Sequence, residues 1–297
     1  MKNLRGNILI FITAFIWGTT FVAQMSGMDN LGPFTYAMAR YILGTLFLAG
    51  LWYAYRGSRQ KAREAGTYIP GWKAGIGAGC IMFVATSLQQ VAMVYTTAGK
   101  TAFITVLYII FVPIAAAFLG KKIYGENWVG AVLALVGLYF LSIQGTLSLS
   151  YGDSIVLVSA FFWTGHILFI DHFASRVDVI ELSLTQVAVC TLGSTIAALL
   201  FEQVALAPIL DAWFAIFYAG VLSTGVAFTL QVVGQKYTEP AQAALIMSFE
   251  SFFGAVSSWL ILGEVMTIVQ VCGCALMFAG VIVTQLGPIL RPEKQKV

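Results

Sequence analysis

Charge is what this sequence has least of. Lys, Arg, Asp and Glu make up 10% of its 297 residues, against roughly 25% in an ordinary soluble domain. Hydrophobic residues reach 59% and mean hydropathy is +0.87. A chain of this length cannot hide that much apolar surface from water, so a soluble globular fold is excluded and lipid is the expected solvent. Histidine is scarcer still: His166 and His172 are the only two, too few for a histidine metal site. The four cysteines, Cys80, Cys190, Cys272 and Cys274, lie inside apolar runs with no metal-ligand spacing. Cys272 and Cys274, two apart on a helix, face different ways, so structural thiols are expected and no metal or cofactor. The net charge of +3 is spread over short connections, which excludes the basic patch a nucleic-acid partner needs. No polar segment is long enough to fold as a separate soluble domain, which argues against a receptor or a fused enzyme.

Long apolar runs are what is there. A bilayer core of ~30 Å takes about 20 apolar residues per helix, and ten stretches qualify: about 6–24, 33–55, 72–94, 99–119, 127–144, 152–172, 179–200, 211–233, 239–261 and 266–287. The first is too long for a signal peptide, and Phe21-Val22-Ala23-Gln24 is a poor cleavage site, so it reads as a retained span. The links carry turn signals such as Asp29-Asn30-Leu31-Gly32-Pro33 and Thr238-Glu239-Pro240. With the amino terminus inside, fourteen of the sixteen Lys and Arg residues fall on the cytoplasmic side. Lys100 falls outside and Arg40 within a helix. That bias predicts an even number of spans with both termini cytoplasmic, in the inner (cytoplasmic) membrane of the cell. Arg56, Arg59, Lys61 and Arg63 form an inside cluster that sets topology.

The halves repeat each other. Ala14-Phe15-Ile16-Trp17 returns 146 residues later as Ala160-Phe161-Phe162-Trp163, Tyr95-Thr96 returns as Tyr237-Thr238, and Gly130 and Gly137 return as Gly273 and Gly280. Five helices is an odd number, so the second unit (146–297) is inverted relative to the first (1–145). The expected fold is an all-α polytopic membrane protein of ten transmembrane helices in a 5+5 inverted-topology repeat. Such repeats place a binding cavity between two half-sites near the midplane and move by alternating access.

Polar side chains on membrane helices are costly and tend to face the bundle interior or a cavity. Thr13, Trp17, Thr20 and Gln24 share one helical face on the first stretch, and Ser159, Trp163, His166 and Ile170 hold the equivalent positions on the sixth. Gln231, with Thr224, Phe228 and Gln235, has its repeat mate in Gln89, flanked by Thr86 and Met93. Thr101, Thr105 and Tyr108 match Met247 and Glu250. The predicted cavity residues are therefore Trp17, Thr20, Gln24, Gln89, Tyr108, Trp163, His166, Gln231 and Glu250. Glu250, near the middle of its helix, is the sharpest signal, suited to carrying a proton or pairing with a cationic substrate. His166, one turn from Trp163, is the second coupling candidate. Each stripe also has a plainer reading, since Ser and Thr often bond their own backbone or join helices. Arg40 can snorkel to the outer interface or neutralise an anionic group of a substrate, and of the two the structural anchor is the preferred reading; Gly130, Gly137, Gly273 and Gly280 read as close-packing seams.

On Phe15-Ile16-Trp17-Gly18, Arg40, the Tyr95–Gly120 segment with Pro113 inside it, and Leu262-Gly263-Glu264, the sequence resembles the drug/metabolite transporter superfamily, with two EamA-type domains over about residues 6 to 287. The resemblance implies a central cavity, gradient-driven export, and fifth and tenth helices away from the transport path. Two motifs depart from the pattern: Ser251 follows Glu250 where the family often has proline, and Gly120-Lys121-Lys122 replaces the first-half Gly-Glu pair. The expectation is a secondary transporter, not an enzyme, exporting amino acids or related small amphiphilic metabolites or drugs. Its expected partners are the small-molecule substrate, the lipid bilayer and a second copy as a homodimer. The rivals are an integral-membrane enzyme or lipid-handling protein, a non-transporting sensor or assembly partner, and a passive channel; for the first, no nucleophile–base pair or acidic metal cluster stands at membrane depth.

Overall fold

The protein is described here as a computed structural model covering residues 2–28, 30–96, 98–142, 150–262 and 267–290. Asp29, the Lys100 side chain, the Gly263-Glu264 pair and the terminal Arg291, Lys294 and Lys296 lie outside the described residues. Every regular element described is helical. The helices are α1 (Lys2–Gly27), α2 (Pro33–Ala54), α3 (Trp72–Ala92), α4 in two pieces (Ala98–Thr105 and Tyr108–Phe118), α5 (Gly125–Ser142), α6 (Tyr151–Phe173), α7 (Val179–Phe201), α8, α9 in two pieces (Pro240–Met247 and Phe249–Leu262) and α10 (Ile268–Leu290). Helix α8 begins as Trp213–Phe217, passes through a π-helical run, Tyr218–Ala227, and ends as Phe228–Gln235. Eight of these helices are long and apolar enough to cross a membrane, and the apolar stretches Gly125–Phe140 and Ile268–Thr284 complete the ten.

The surface argues for the same solvent as the composition. Phe118, Phe201 and Ile268 are 89%, 76% and 83% exposed, whereas Gln186, Gln231 and His166 are 0% exposed. Apolar side chains outside and polar ones inside suit hydrocarbon. Polar residues sit at the ends, where the short helix Arg56–Glu64 lays Arg59 over Trp52 and Arg56 over Tyr53, with ring distances of 4.4 and 4.0 Å.

Packing follows the repeat. Helix α2 lies on its mate α7, α5 on α10, and the two halves exchange the other contacts in matching pairs: α1 on α9 and α8, α6 on α4 and α3, α2 on α8, α7 on α3. Residues that correspond between the halves therefore meet along the pseudo-twofold axis. Thr45 and Thr191, 146 apart in sequence, share a 2.8 Å hydrogen bond. At the α5–α10 seam the chains approach too closely for side chains. A Cβ on Gly137 would lie 2.4 Å from the Gly273 carbonyl oxygen, and one on Gly130 would lie 2.7 Å from that of Gly280. Small residues at a crossing let backbones touch and gain dispersion where no hydrophobic force drives helices together.

Helices α4 and α9, themselves mates, are interrupted at equivalent points. In α4 the Ile109 amide turns back to the Val106 carbonyl at 2.9 Å, and in α9 the Ser251 amide does the same to Ser248 at 3.2 Å. Pro113, inside α4, adds the loss of one donor four residues beyond Ile109. Each of these tight turns contains one of the central polar residues, Tyr108 or Glu250. Broken helices of this kind mark the substrate region of inverted-repeat transporters.

Candidate functional site: a cleft between the repeats

A cleft of about 570 Å³, its mouth included, opens between the halves and is lined from seven helices. Helix α1 supplies Trp17, Phe21 and Gln24; α2 supplies Arg40; α3 and α4 supply Thr86, Gln89, Thr105 and Tyr108. From the second half come Trp163 and Ile167 of α6, Ser223, Phe228 and Gln231 of α8, and Met247 and Glu250 of α9.

Three rings build one wall. Trp17 and its mate Trp163 stand with ring centroids 6.4 Å apart. Phe228 packs 4.8 Å from Trp17 and lies nearly parallel to Trp163, 6.1 Å away with an interplanar angle of 12°. Both indole N–H groups are buried, and neither finds an acceptor among the described residues. Opposite in sequence but adjacent in space, the Tyr108 hydroxyl donates to Glu250 Oε1 at 3.0 Å, and the two residues are mates 142 apart. Glu250 is 6% exposed and has no cationic partner within ion-pair distance among the described residues.

The two halves of the cleft have diverged. Gln89 Nε2 donates to Thr105 Oγ1 at 2.8 Å. The equivalent of Thr105 in the second half is Met247, which offers no oxygen, and Gln231, the mate of Gln89, is left with both its amide oxygen and nitrogen unpaired. Sequence divergence at one position thus frees a buried amide at another.

Of the predicted cavity residues, Trp17, Gln24, Gln89, Tyr108, Trp163, Gln231 and Glu250 stand together on the lining. Thr20 and His166 do not. The Thr20 hydroxyl turns back to the Ile16 carbonyl at 2.6 Å, the usual behaviour of threonine on an apolar helix. His166 is fully buried behind the wall, its Nε2 3.1 Å from Gln186 Oε1 and its ring edge-on to Trp163 at 5.7 Å. Arg40 does not snorkel outward: it is 6% exposed and lines the cleft. Phe21 and Ile167 were missed by a search for polar stripes. They are mates, 146 apart and one turn beyond Trp17 and Trp163, and that spacing was the available signal. Ser223 enters through the π-helical run of α8, for which periodicity gave no sign. Among the described residues no group of three or more His, Cys, Asp or Glu is placed to hold a metal ion, and the four cysteines are free thiols.

The sequence profile of the EamA-like transporter family matches residues 4–143 and again residues 150–286. An uncharacterised transporter of Archaeoglobus fulgidus is 29% identical over 296 residues, covering 96% of this chain and 87% of the relative. YoaV of Bacillus subtilis, likewise described as an uncharacterised transporter, is 25% identical over 280 residues, 92% of this chain and 94% of its own. A crystal structure superposes with a TM-score of 0.78 over 94% of this chain and 96% of the other, at 19% identity; that likeness concerns the fold alone. With the family's profile matched twice, once in each half of a ten-helix bundle that encloses a cleft, this chain belongs to the EamA-like transporter family and is a multi-pass membrane protein.

Proposed function

We propose that the protein is a secondary active transporter of the inner membrane that exports small amphiphilic metabolites, amino acids and amines foremost, by alternating access. The observation that carries this reading is the cleft between the repeats, where mates Trp17 and Trp163 face each other and mates Tyr108 and Glu250 are hydrogen-bonded. A site on the pseudo-twofold axis serves both membrane faces in turn when one half rocks against the other. Rings with unpaired indole N–H groups, a free amide on Gln231 and one carboxylate suit a molecule with an apolar body and a few polar atoms. A phosphate would call for several arginines, and Arg40 is the one guanidinium on the lining.

Glu250 is the coupling group in this reading. It alternates between holding a proton and holding the substrate's ammonium, while Tyr108 donates to whichever carboxylate form is present. His166, turned toward Gln186, positions Trp163 rather than meeting the substrate. The test is flux into liposomes of the purified protein under an imposed pH gradient, with a panel of amino acids, amines, nucleosides and small drugs. Saturable, gradient-dependent flux that is lost in E250Q and weakened in W163A is the expected result. Full gradient-dependent flux in E250Q sinks the coupling role. A rate that never saturates turns the reading to a passive channel, and chemical turnover of a lipid without solute movement turns it to an enzyme.

A further inference from the structure

We propose that Arg40 is the carboxylate-binding residue of the cleft, so that a dipolar substrate is held in one orientation between the two repeats. The proposal rests on the cleft being the substrate site and adds which end of the substrate goes where. Four observations carry it.

Arg40 is 6% exposed and borders the cleft, and no carboxylate among the described residues lies within ion-pair distance of it. Arginine stays protonated under all ordinary conditions, so the wall of the cleft carries a fixed positive charge without a counter-ion. A buried charge left that way is costly, and it persists in proteins mainly where something else compensates it.

The guanidinium is held but not saturated. Nη1 donates to Gln24 Oε1 at 3.1 Å and Nη2 to the Tyr41 hydroxyl at 3.0 Å. A guanidinium has five N–H groups, and Nε has no partner at all. The neighbours therefore leave part of the planar donor array unfilled.

Its plane is fixed by its surroundings. The Tyr41 and Tyr36 rings lie 4.7 and 5.8 Å from the guanidinium carbon, within cation–π distance. The backbone beneath it is pinned as well, since Gly220 of α8 comes so close that a Cβ there would sit 2.7 Å from the Arg40 carbonyl oxygen. Both ligands of the guanidinium are neutral, so they orient the charge without cancelling it.

The repeat supplies the contrast. The position equivalent to Arg40 in the second half is Gln186, which is fully buried, spends its amide oxygen on His166 at 3.1 Å and does not line the cleft. On the helices that bear Tyr108 and Glu250 the imbalance runs the other way, with the acid in the second half. One half therefore brings the cation and the other the anion, and the pseudo-symmetric cavity is polarised. A carboxylate at Arg40 and an ammonium at Glu250 place a zwitterion across it, with the aromatic wall left for the apolar body. A lone guanidinium fits a carboxylate better than a phosphate dianion, which recruits several cations.

The test uses the full-length protein in detergent and matched ligands: leucine, phenylalanine and glutamine, each with its carboxamide and its decarboxylated amine. Affinities are read from ligand-dependent thermal stabilisation, and flux is measured in parallel in liposomes. Wild type is expected to bind the acid about ten- to one-hundred-fold more tightly than the carboxamide, the worth of a hydrogen bond to a charged group. In R40Q that ratio falls toward one while carboxamide affinity stays within about twofold, and R40K, which keeps the charge without the fork, lies between. A purely structural Arg40 would instead lower acid and carboxamide affinity together. An acid-to-carboxamide ratio near one in wild type overturns the proposal without any variant, so failure of R40Q to fold does not protect it. A ratio that survives in R40Q overturns it too, as does the absence of binding by all three ligand types. An intact, Arg40-dependent ratio without flux would uphold the carboxylate site while removing the transport reading.

Discussion

Consider replacing Gly18 with alanine. Gly18 follows Trp17 on α1 and faces α9 at its closest approach. An added Cβ would stand 2.5 Å from the Glu250 carbonyl oxygen, 2.5 Å from Phe253 Cβ and 2.8 Å from the Gly254 amide nitrogen. Ordinary contact begins near 3.4 Å, so the helices must part by about 0.9 Å. None of the three atoms is the end of a flexible side chain, so backbone has to move. Overpacking of this kind costs about 1–3 kcal/mol, set against a gain of up to ~1 kcal/mol from replacing glycine in a helix. Gly50 provides the control: it is helical and exposed, and a Cβ there meets nothing within 4 Å. G50A should stabilise by ~0.5–1 kcal/mol and G18A should destabilise by ~1–2 kcal/mol. Unfolding titrations in mixed micelles read both. Because the displaced backbone carries Glu250, G18A should also weaken ligand binding in the cleft beyond what its stability loss explains. A G18A protein as stable as G50A would mean that α1 and α9 are not in close contact, and the geometry of the cleft floor would be wrong.

Other expectations follow from the same contacts. At the α5–α10 seam, G137A should lower stability by about 1–3 kcal/mol, because its Cβ meets the Gly273 carbonyl; ligand affinity measured below the melting range should stay unchanged. E202Q should cost ~1–2 kcal/mol, since Glu202 accepts from the Phe34 and Thr35 amides at 2.8 and 2.7 Å; faster amide exchange at those two residues is the local readout. Outside the membrane, burial and then the bond to Glu181 raise the Tyr68 hydroxyl above its ordinary value of 10.0. Its stabilising contribution is present below that value and fades as pH climbs through the raised one, so the alkaline fall in stability should be shallower in Y68F.

The ten spans and the duplication were legible because hydropathy and a repeated Trp-centred motif are local or nearly local signals. Helical periodicity also groups Trp17, Gln89 and Glu250 with the faces that line the cleft. It could not tell how a side chain on such a face would be spent. Thr13 and Thr20 share the face with Trp17, yet Thr13 bonds the Leu9 and Ala227 carbonyls at 3.0 and 3.2 Å, and Thr20 its own helix. His166 shares a face with Trp163 and turns to Gln186, because a neighbouring helix supplies an acceptor that spacing along the chain does not register. The snorkelling reading of Arg40 fails for a related reason: its position near the start of a helix suggests an exit to the interface, but Gln24, Tyr36 and Tyr41 hold it inward. The Tyr108–Glu250 bond was invisible in the stripes. It becomes readable only once the pseudo-twofold axis is drawn, since corresponding residues are the ones that axis brings together. The π-helical run of α8 leaves no mark in composition, although it brings Ser223 to the cleft.

Helix α7 is fastened at both ends to the first half of the chain. Glu181, at its beginning, accepts from the Gly71 amide at the start of α3, and Glu202, just past its end, accepts from the amides that open α2. These partners are separated by 110 and 168 residues. During synthesis, then, the first five helices can enter the bilayer well before the carboxylates that close the ends of α2 and α3 have been made. A nascent chain paused before α7 would keep those amides open to water or lipid headgroups, and the first unit alone would be a dependent intermediate rather than a finished domain. Duplication gave this protein two similar halves; the clasps at the ends of α7 make the earlier half wait for the later one.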